Sequence, residues 1–316
     1  MAKKHFLIPA TLTRRFPLLR NIGWRMEALM VKVLVRYLST MSPERGARFA
    51  YRVFRALKPV FPFVAKIRAN LALAFPDKSA AEIERLTREV CGNLGNAAAE
   101  LIFAQRIWEE RDERVEFVMA EGVDIEKYRD HPAVMMTGHI GAWQLALFVA
   151  RAHGLQITSV YAPEENPYVR EQLLQLRLTL QSEFLSRDGC MRGLMQQLRA
   201  GNLIGLAADA KLDGGDPIPF FGLPVPSNTT AARLAVRHEC DFLPVLAERL
   251  PRMRFRITVG NAIHADDPDA PLDEQAKQMT RKLFEYFEAW IREMPGQWMC
   301  FANRWMAEVY EHKKAL

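Results

Sequence analysis

The sequence is poor in the groupings that mark metal, redox and nucleotide chemistry. Its four cysteines, Cys91, Cys190, Cys240 and Cys300, lie at least fifty residues apart. No pair has the spacing of a zinc knuckle or a redox dithiol, so reduced thiols in a cytoplasmic setting are expected. Seven histidines include no His-Glu-x-x-His pair, and no metal is expected. Neither G-x-S-x-G nor G-x-G-x-x-G nor a P-loop occurs, which argues against a serine hydrolase, a dinucleotide enzyme and a P-loop enzyme, and no cofactor is expected. Also missing is any unbroken apolar run of the roughly 20 residues that a membrane-spanning helix needs. The stretch from His131 to Ala150 has no Asp, Glu, Lys or Arg, but Pro132, Gly138, His139, Gly141 and Gln144 divide it into strand, turn and helix.

What the chain does have is a folding composition and an uneven charge. With 49% hydrophobic and 25% charged residues over 316 positions, it can bury a sizeable core in one large domain or two modest ones. The net charge of +6 conceals a division. Residues 1–68 carry fifteen Lys and Arg, among them Lys3, Lys4, Arg14, Arg15 and Arg20, against Glu27 and Glu44, and so sum to +13. The remainder has 28 basic and 35 acidic residues and sums to −7. A basic arm on an acidic body suits an anionic partner, and the residues between the charges favour a membrane surface over nucleic acid. From Ile22 to Leu38 the chain is apolar except for Arg25, Glu27, Lys32 and Arg36, with the three basic residues on one helical stripe. A second basic and aromatic helical run follows from Glu44 to Leu57. Both fit an interfacial anchor, and both fit ordinary helices packed on the body. The organisation expected is a membrane-associated helical segment over 1–68 and an α/β domain over 69–316.

Beyond residue 110, short aliphatic runs alternate with helical patterns. Strands are expected at Val115–Met119, Ala133–Thr137, Ile157–Tyr161, Leu203–Ala207, Phe242–Leu246 and Phe255–Val259. Helices are expected at Ala80–Ala104, Trp143–Ala152, Val169–Gln181, Met191–Ala200, Ala231–His238 and Asp273–Glu293. The alternation predicts an α/β fold with a mixed central sheet flanked by helices.

The chemistry concentrates where an apolar strand ends at Gly138-His139-Ile140-Gly141. A histidine in such a strand-to-helix turn can point into a cleft, although it can equally serve as a packing residue. In order along the chain come Asn70-Leu71-Ala72-Leu73-Ala74-Phe75-Pro76-Asp77, Glu121-Gly122, Gly138-His139-Ile140-Gly141-Ala142-Trp143-Gln144, Ser186-Arg187-Asp188, Ala208-Asp209, Pro219-Phe220-Phe221-Gly222-Leu223-Pro224, Arg233, and Gln297-Trp298 through Arg304-Trp305. This series resembles the late acyltransferases of lipid A biosynthesis, within the glycerolipid (lysophospholipid) acyltransferase superfamily, through nearly the whole chain.

The resemblance implies acyl transfer from an acyl carrier protein or coenzyme A thioester to a lipid hydroxyl at the cytoplasmic face of a bacterial inner membrane. It implies His139 as general base and a carboxylate five residues later to orient it. That later position is Gln144, a departure with three readings: a branch that works with Gln, another carboxylate such as Asp209 in its place, or a weakened, lipid-binding relative. Arg187 is a candidate for a substrate phosphate, or a surface partner of Asp188. Asp209, Arg233 and Arg304 complete the candidate substrate-binding set, each with a plainer reading as a strand-end or solvent-facing residue.

Overall fold

The computed structural model describes residues 17–315, so Lys3, Lys4, Arg14 and Arg15 of the basic arm lie outside the described residues. Four helices come first: α1 (Pro17–Ser39), α2 (Pro43–Ala56), α3 (Val64–Ala74) and α4 (Ala80–Ile102). Helix α4 starts at a reciprocal cap in which Ser79 and Glu82 bond each other's backbone N–H groups. Helix α3 runs across the boundary expected at residue 68.

The centre is a seven-stranded sheet. Its members are β1 (Val115–Met119), β2 (Ala133–Thr137), β3 (Ile157–Tyr161), β4 (Glu183–Ser186), β5 (Leu203–Ala207), β8 (Asp241–Leu250) and β9 (Arg254–Val259), in the order β1-β9-β8-β2-β5-β3-β4. Every pairing is parallel except that of β8 with β9, so the sheet is mixed, as the alternating pattern predicts. Strand β2 is buried on both sides. Its Val134 and Met136 join a core completed by Leu283, Phe284 and Phe287 of the long helix Leu272–Glu293. Its Ala133 and Met135 join the opposite core with Phe148, Ala47 and Ala50.

Three strands escape the sequence reading: β4 and a separate antiparallel hairpin, β6 (Asp216–Phe220) with β7 (Leu223–Ser227). The hairpin is masked by its prolines. Pro217 opposes Pro226 and Pro219 opposes Pro224, at alternate positions where an antiparallel ladder exchanges no N–H bond. Its two-residue turn is Phe221-Gly222, with φ of 50° and 72°, the left-handed pair that tight hairpins favour.

The two amino-terminal helices end differently. Helix α2 buries Pro43, Gly46, Ala47 and Ala50 against the body. A Cβ on Gly95 of α4 would lie 2.4 Å from the Ala50 carbonyl oxygen, so the two backbones meet only because glycine is there. Helix α1 instead leaves Leu18, Ile22, Met26, Leu29, Met30, Val33 and Tyr37 half or more exposed, a stripe along its whole length. Among the described residues, no helix is long and apolar enough to cross a membrane.

Candidate active site

Register brings the key pair together. Strands β2 and β5 are neighbours with Thr137 opposite Ala207, and each chain runs two residues further before its functional side chain. His139 and Asp209 therefore meet beyond the same sheet edge, where open α/β sheets place their sites. The imidazole Nδ1 lies 2.6 Å from an Asp209 carboxylate oxygen, with Asp209 buried and His139 about one-third exposed.

The turn that carries His139 is held from both sides. The Ala142 N–H donates to the Ala247 carbonyl at 2.7 Å, and the Gly141 N–H to that of Gln297 at 3.1 Å. Gly141 has φ +60°, and a Cβ there would come within 2.3 Å of the Ala247 oxygen, so no other residue fits. The closing segment also buttresses the turn. Met299 N–H donates to the His139 carbonyl at 2.8 Å, and Asn70 ties that segment to α3 through the carbonyls of Cys300 and Ala302 at 2.8 and 2.7 Å. Two of the sequence's ordered motifs thus act on the histidine turn through packing.

Beside the pair opens a cavity of about 270 Å³. Its walls are aliphatic, among them Leu147, Ile157, Leu180, Leu206 and Val245, and Gly205 of β5 keeps its floor open. His139, Trp143, Gln144, Tyr161, Arg177 and Phe301 bring polar and aromatic groups to it. Arg177 pairs with Glu164 at 2.6 Å and lies over the Tyr161 ring. His139, Trp143 and Gln144 stand in the sequence's motif at 138–144, whereas no local signal marks the aliphatic lining residues or Arg177 apart from core residues.

Each member of the pair shifts the titration of the other. Burial presses the imidazole toward its neutral form, but the charge and hydrogen bond of Asp209 outweigh it and raise the His139 pKa above the usual histidine value, against opposition from Arg304. Burial likewise acts upward on Asp209, yet His139 and Arg304 hold its carboxyl well below the usual range. Arg304 is buried, lies over the rings of Phe220 and Phe284 at 5.0 and 4.8 Å, and among the described residues its guanidinium has no hydrogen-bond partner. Burial brings its pKa down to about 10, with Asp209 opposing.

The other sequence candidates fall elsewhere. Gln144 borders the cavity, but its amide Nε2 donates to the Ala97 carbonyl of α4 at 3.2 Å, while the His139 ring nitrogen is engaged by Asp209. Arg187 is exposed at the end of β4, with Asp188 4.0 Å away, and its N–H donates to the carbonyl of the cavity residue Tyr161. Arg233 pairs with Asp216 and Asp273, both at 3.3 Å, and does not line the cavity. Among the described residues, no group of three or more His, Cys, Asp and Glu is placed to hold a metal ion.

Comparison with known proteins supplies the class: the chain is an acyltransferase. The model of the family described as bacterial lipid A biosynthesis acyltransferase matches residues 27–307, and the chain belongs to that family. Among solved structures, it is similar to the 1-acyl-sn-glycerophosphate (LPA) acyltransferase PlsC from Thermotoga maritima, at 11% identity and a TM-score of 0.36, over 85% of this chain and 97% of that one. No protein of curated function matches the chain.

Proposed function

We propose that the protein moves a fatty acyl group from an acyl carrier protein or coenzyme A thioester to a hydroxyl of a lipid A precursor or related membrane lipid, with His139 as general base. The observation that carries this reading is the His139–Asp209 pair at an apolar cavity. The cavity suits the hydrocarbon of the acyl group, since each methylene moved out of water contributes about 0.8 kcal/mol.

With Nδ1–H donated to Asp209, Nε2 is the free acceptor. It takes the proton of the lipid hydroxyl as the oxygen attacks the thioester carbonyl. Asp209 holds this tautomer and stabilises the imidazolium that forms. Collapse of the tetrahedral intermediate breaks the carbon–sulfur bond, and the imidazolium returns its proton to the departing thiolate. No covalent enzyme intermediate is needed. In this reading Asp209 takes the orienting part expected at Gln144, and Arg304 keeps Asp209 ionised from within the core. Arg187, exposed beside β4, is the residue this reading assigns to anionic groups of the substrates; Arg233, paired with two aspartates, is given a structural part.

In this reading the protein sits on the cytoplasmic face of the inner membrane; the apolar stripe of α1 supports contact with a membrane surface, with Lys32 and Arg36 exposed beside it. Purified protein, a fatty acyl thioester and anionic vesicles carrying the acceptor lipid test both parts. His139→Ala should sediment with the vesicles but release no thiol and form no acylated lipid. Met30→Asp with Val33→Asp should remain folded and sediment much less. Retained acylation by His139→Ala would place the base elsewhere, and unchanged sedimentation of the double variant would remove α1 from the membrane.

A further inference from the structure

A second cavity, of about 360 Å³, opens between α2, α4 and the β8–β9 loop. It differs from the first in its arginines, for Arg48, Arg52, Arg55, Arg249 and Arg252 line it, while Ala47, Tyr51, Leu250 and Met253 give it apolar walls. The first three stand on α2 at spacings of four and three residues, which places them on one helix face. The only carboxylate in the lining, Glu44, is held by Arg114 at 2.6 Å. Arg249 is committed to Glu100. That leaves Arg48, Arg52, Arg55 and Arg252, all exposed and with no carboxylate within ion-pair distance among the described residues. Arg252 is presented by two successive left-handed residues, itself at φ 63° and Met253 at φ 53°, and its carbonyl is tied to Arg114 at 3.3 Å.

We propose that this cavity binds a phosphate group carried on a membrane lipid. Guanidinium forks hold phosphate through paired, charge-assisted hydrogen bonds, and four arginines without a carboxylate partner around one concavity can offer such forks. A concave site of this size suits a compact headgroup better than the convex face of an acidic protein helix. Its surroundings point to a lipid as the source. Tyr37, in the exposed apolar stripe of α1, packs edge-on at 5.6 Å against Phe49, the neighbour of Arg48. The cavity also communicates with the histidine turn. The Arg249 Nη2 that faces Glu100 donates to the Gly141 carbonyl at 2.9 Å, two residues from His139. A lipid anchored here by its phosphate would lie beyond the same sheet edge as the base. This inference rests on the lipid-acylating reading of His139 and adds where the lipid's charged end is held.

The test compares phosphatidylcholine vesicles containing phosphatidic acid with vesicles brought to the same surface charge by cholesteryl hemisuccinate. The full chain should bind the phosphate-bearing vesicles about tenfold more tightly, one charge-assisted pair's worth of discrimination, and inorganic phosphate should compete. Arg48→Lys with Arg52→Lys keeps the charge and removes the forks, and should abolish the preference while the vesicle carboxylate binding remains. His139→Ala should show the full preference. Equal binding to both vesicles, or an undiminished preference in the lysine variant, overturns the site. So does binding of inorganic phosphate or of an acidic carrier protein that the lysine substitutions weaken without any vesicle preference. A preserved preference with no His139-dependent thioester turnover would instead sink the acyltransfer reading and leave this site standing.

Discussion

The turn from Gly138 to Gly141 has a carboxylate-containing pair on each side. Toward β5, His139 meets Asp209; toward β8, Arg249 meets Glu100 and reaches the Gly141 carbonyl. The two pairs differ in what else they touch. Arg249 and Glu100 are 8% and 1% exposed, and the guanidinium spends its remaining donors on Asn93 and Gln297 at 3.2 and 3.4 Å. The Arg249 guanidinium has no donor left for a ligand. Asp209 is equally buried, but His139 keeps about one-third of its side chain open beside an apolar cavity. A closed, fully bonded pair can only hold the fold, whereas a pair with one open end has a nitrogen left to react. The same kind of contact thus supports architecture on one side of the turn and chemistry on the other.

Asp209→Asn should separate those roles most sharply. The amide keeps the shape, and a neutral imidazole tolerates it, so the loss should fall on turnover, by about 10²–10⁴-fold. The sign of the pH effect follows from the shift already described. Asp209 raises the His139 pKa, so its removal should move the ascending limb of kcat/KM against pH to lower pH, even as the plateau falls. A limb that stays in place would mean that Asp209 does not set the charge of the base.

Arg249→Met should do the reverse. It strands a buried carboxylate and should cost about 3–5 kcal/mol in denaturant unfolding. Adding Glu100→Leu should recover most of that loss, because removing both charges removes the stranded one. If the single variant is as stable as the parent, the closed pair is not the support that its burial suggests.

Much of this arrangement was legible in the sequence, and the illegible parts share a cause. Strands such as Ala133–Thr137 and Leu203–Ala207 read correctly to the residue because a parallel strand covered on both faces is a continuous apolar run. His139 stood out for its place in a Gly-His-Ile-Gly turn, and Asp209 for ending an apolar run. Their contact, seventy residues apart in the chain, depends on β2 lying beside β5, which no local pattern encodes. Glu100 and Arg249 were invisible for the same reason. Helices α1 and α2 looked alike as basic and apolar runs, yet only one covers its apolar side. The distinguishing signal was present in Gly46, Ala47 and Ala50 set against Gly92 and Gly95, small residues that admit a close partner helix. Amphipathic character reports that a face needs covering, not what covers it.

The smallest effect is expected at Gln144, where family resemblance alone would have forecast one of the largest. Its amide donates to the Ala97 carbonyl, so Gln144→Glu replaces a donor with a carboxylate oxygen facing another oxygen. That should cost stability by about 1–2 kcal/mol. Because Asp209 already engages the imidazole, a second carboxylate has little left to add, and turnover should change by no more than about fivefold, the equivalent of roughly 1 kcal/mol in the barrier. Steady-state kinetics on this variant and on Asp209→Asn, under one set of conditions, decide the matter. A rise of two orders of magnitude in the Gln144→Glu variant would show that the pair on the β5 side is not the working one, and the contrast with Glu100 and Arg249 would lose its chemical half.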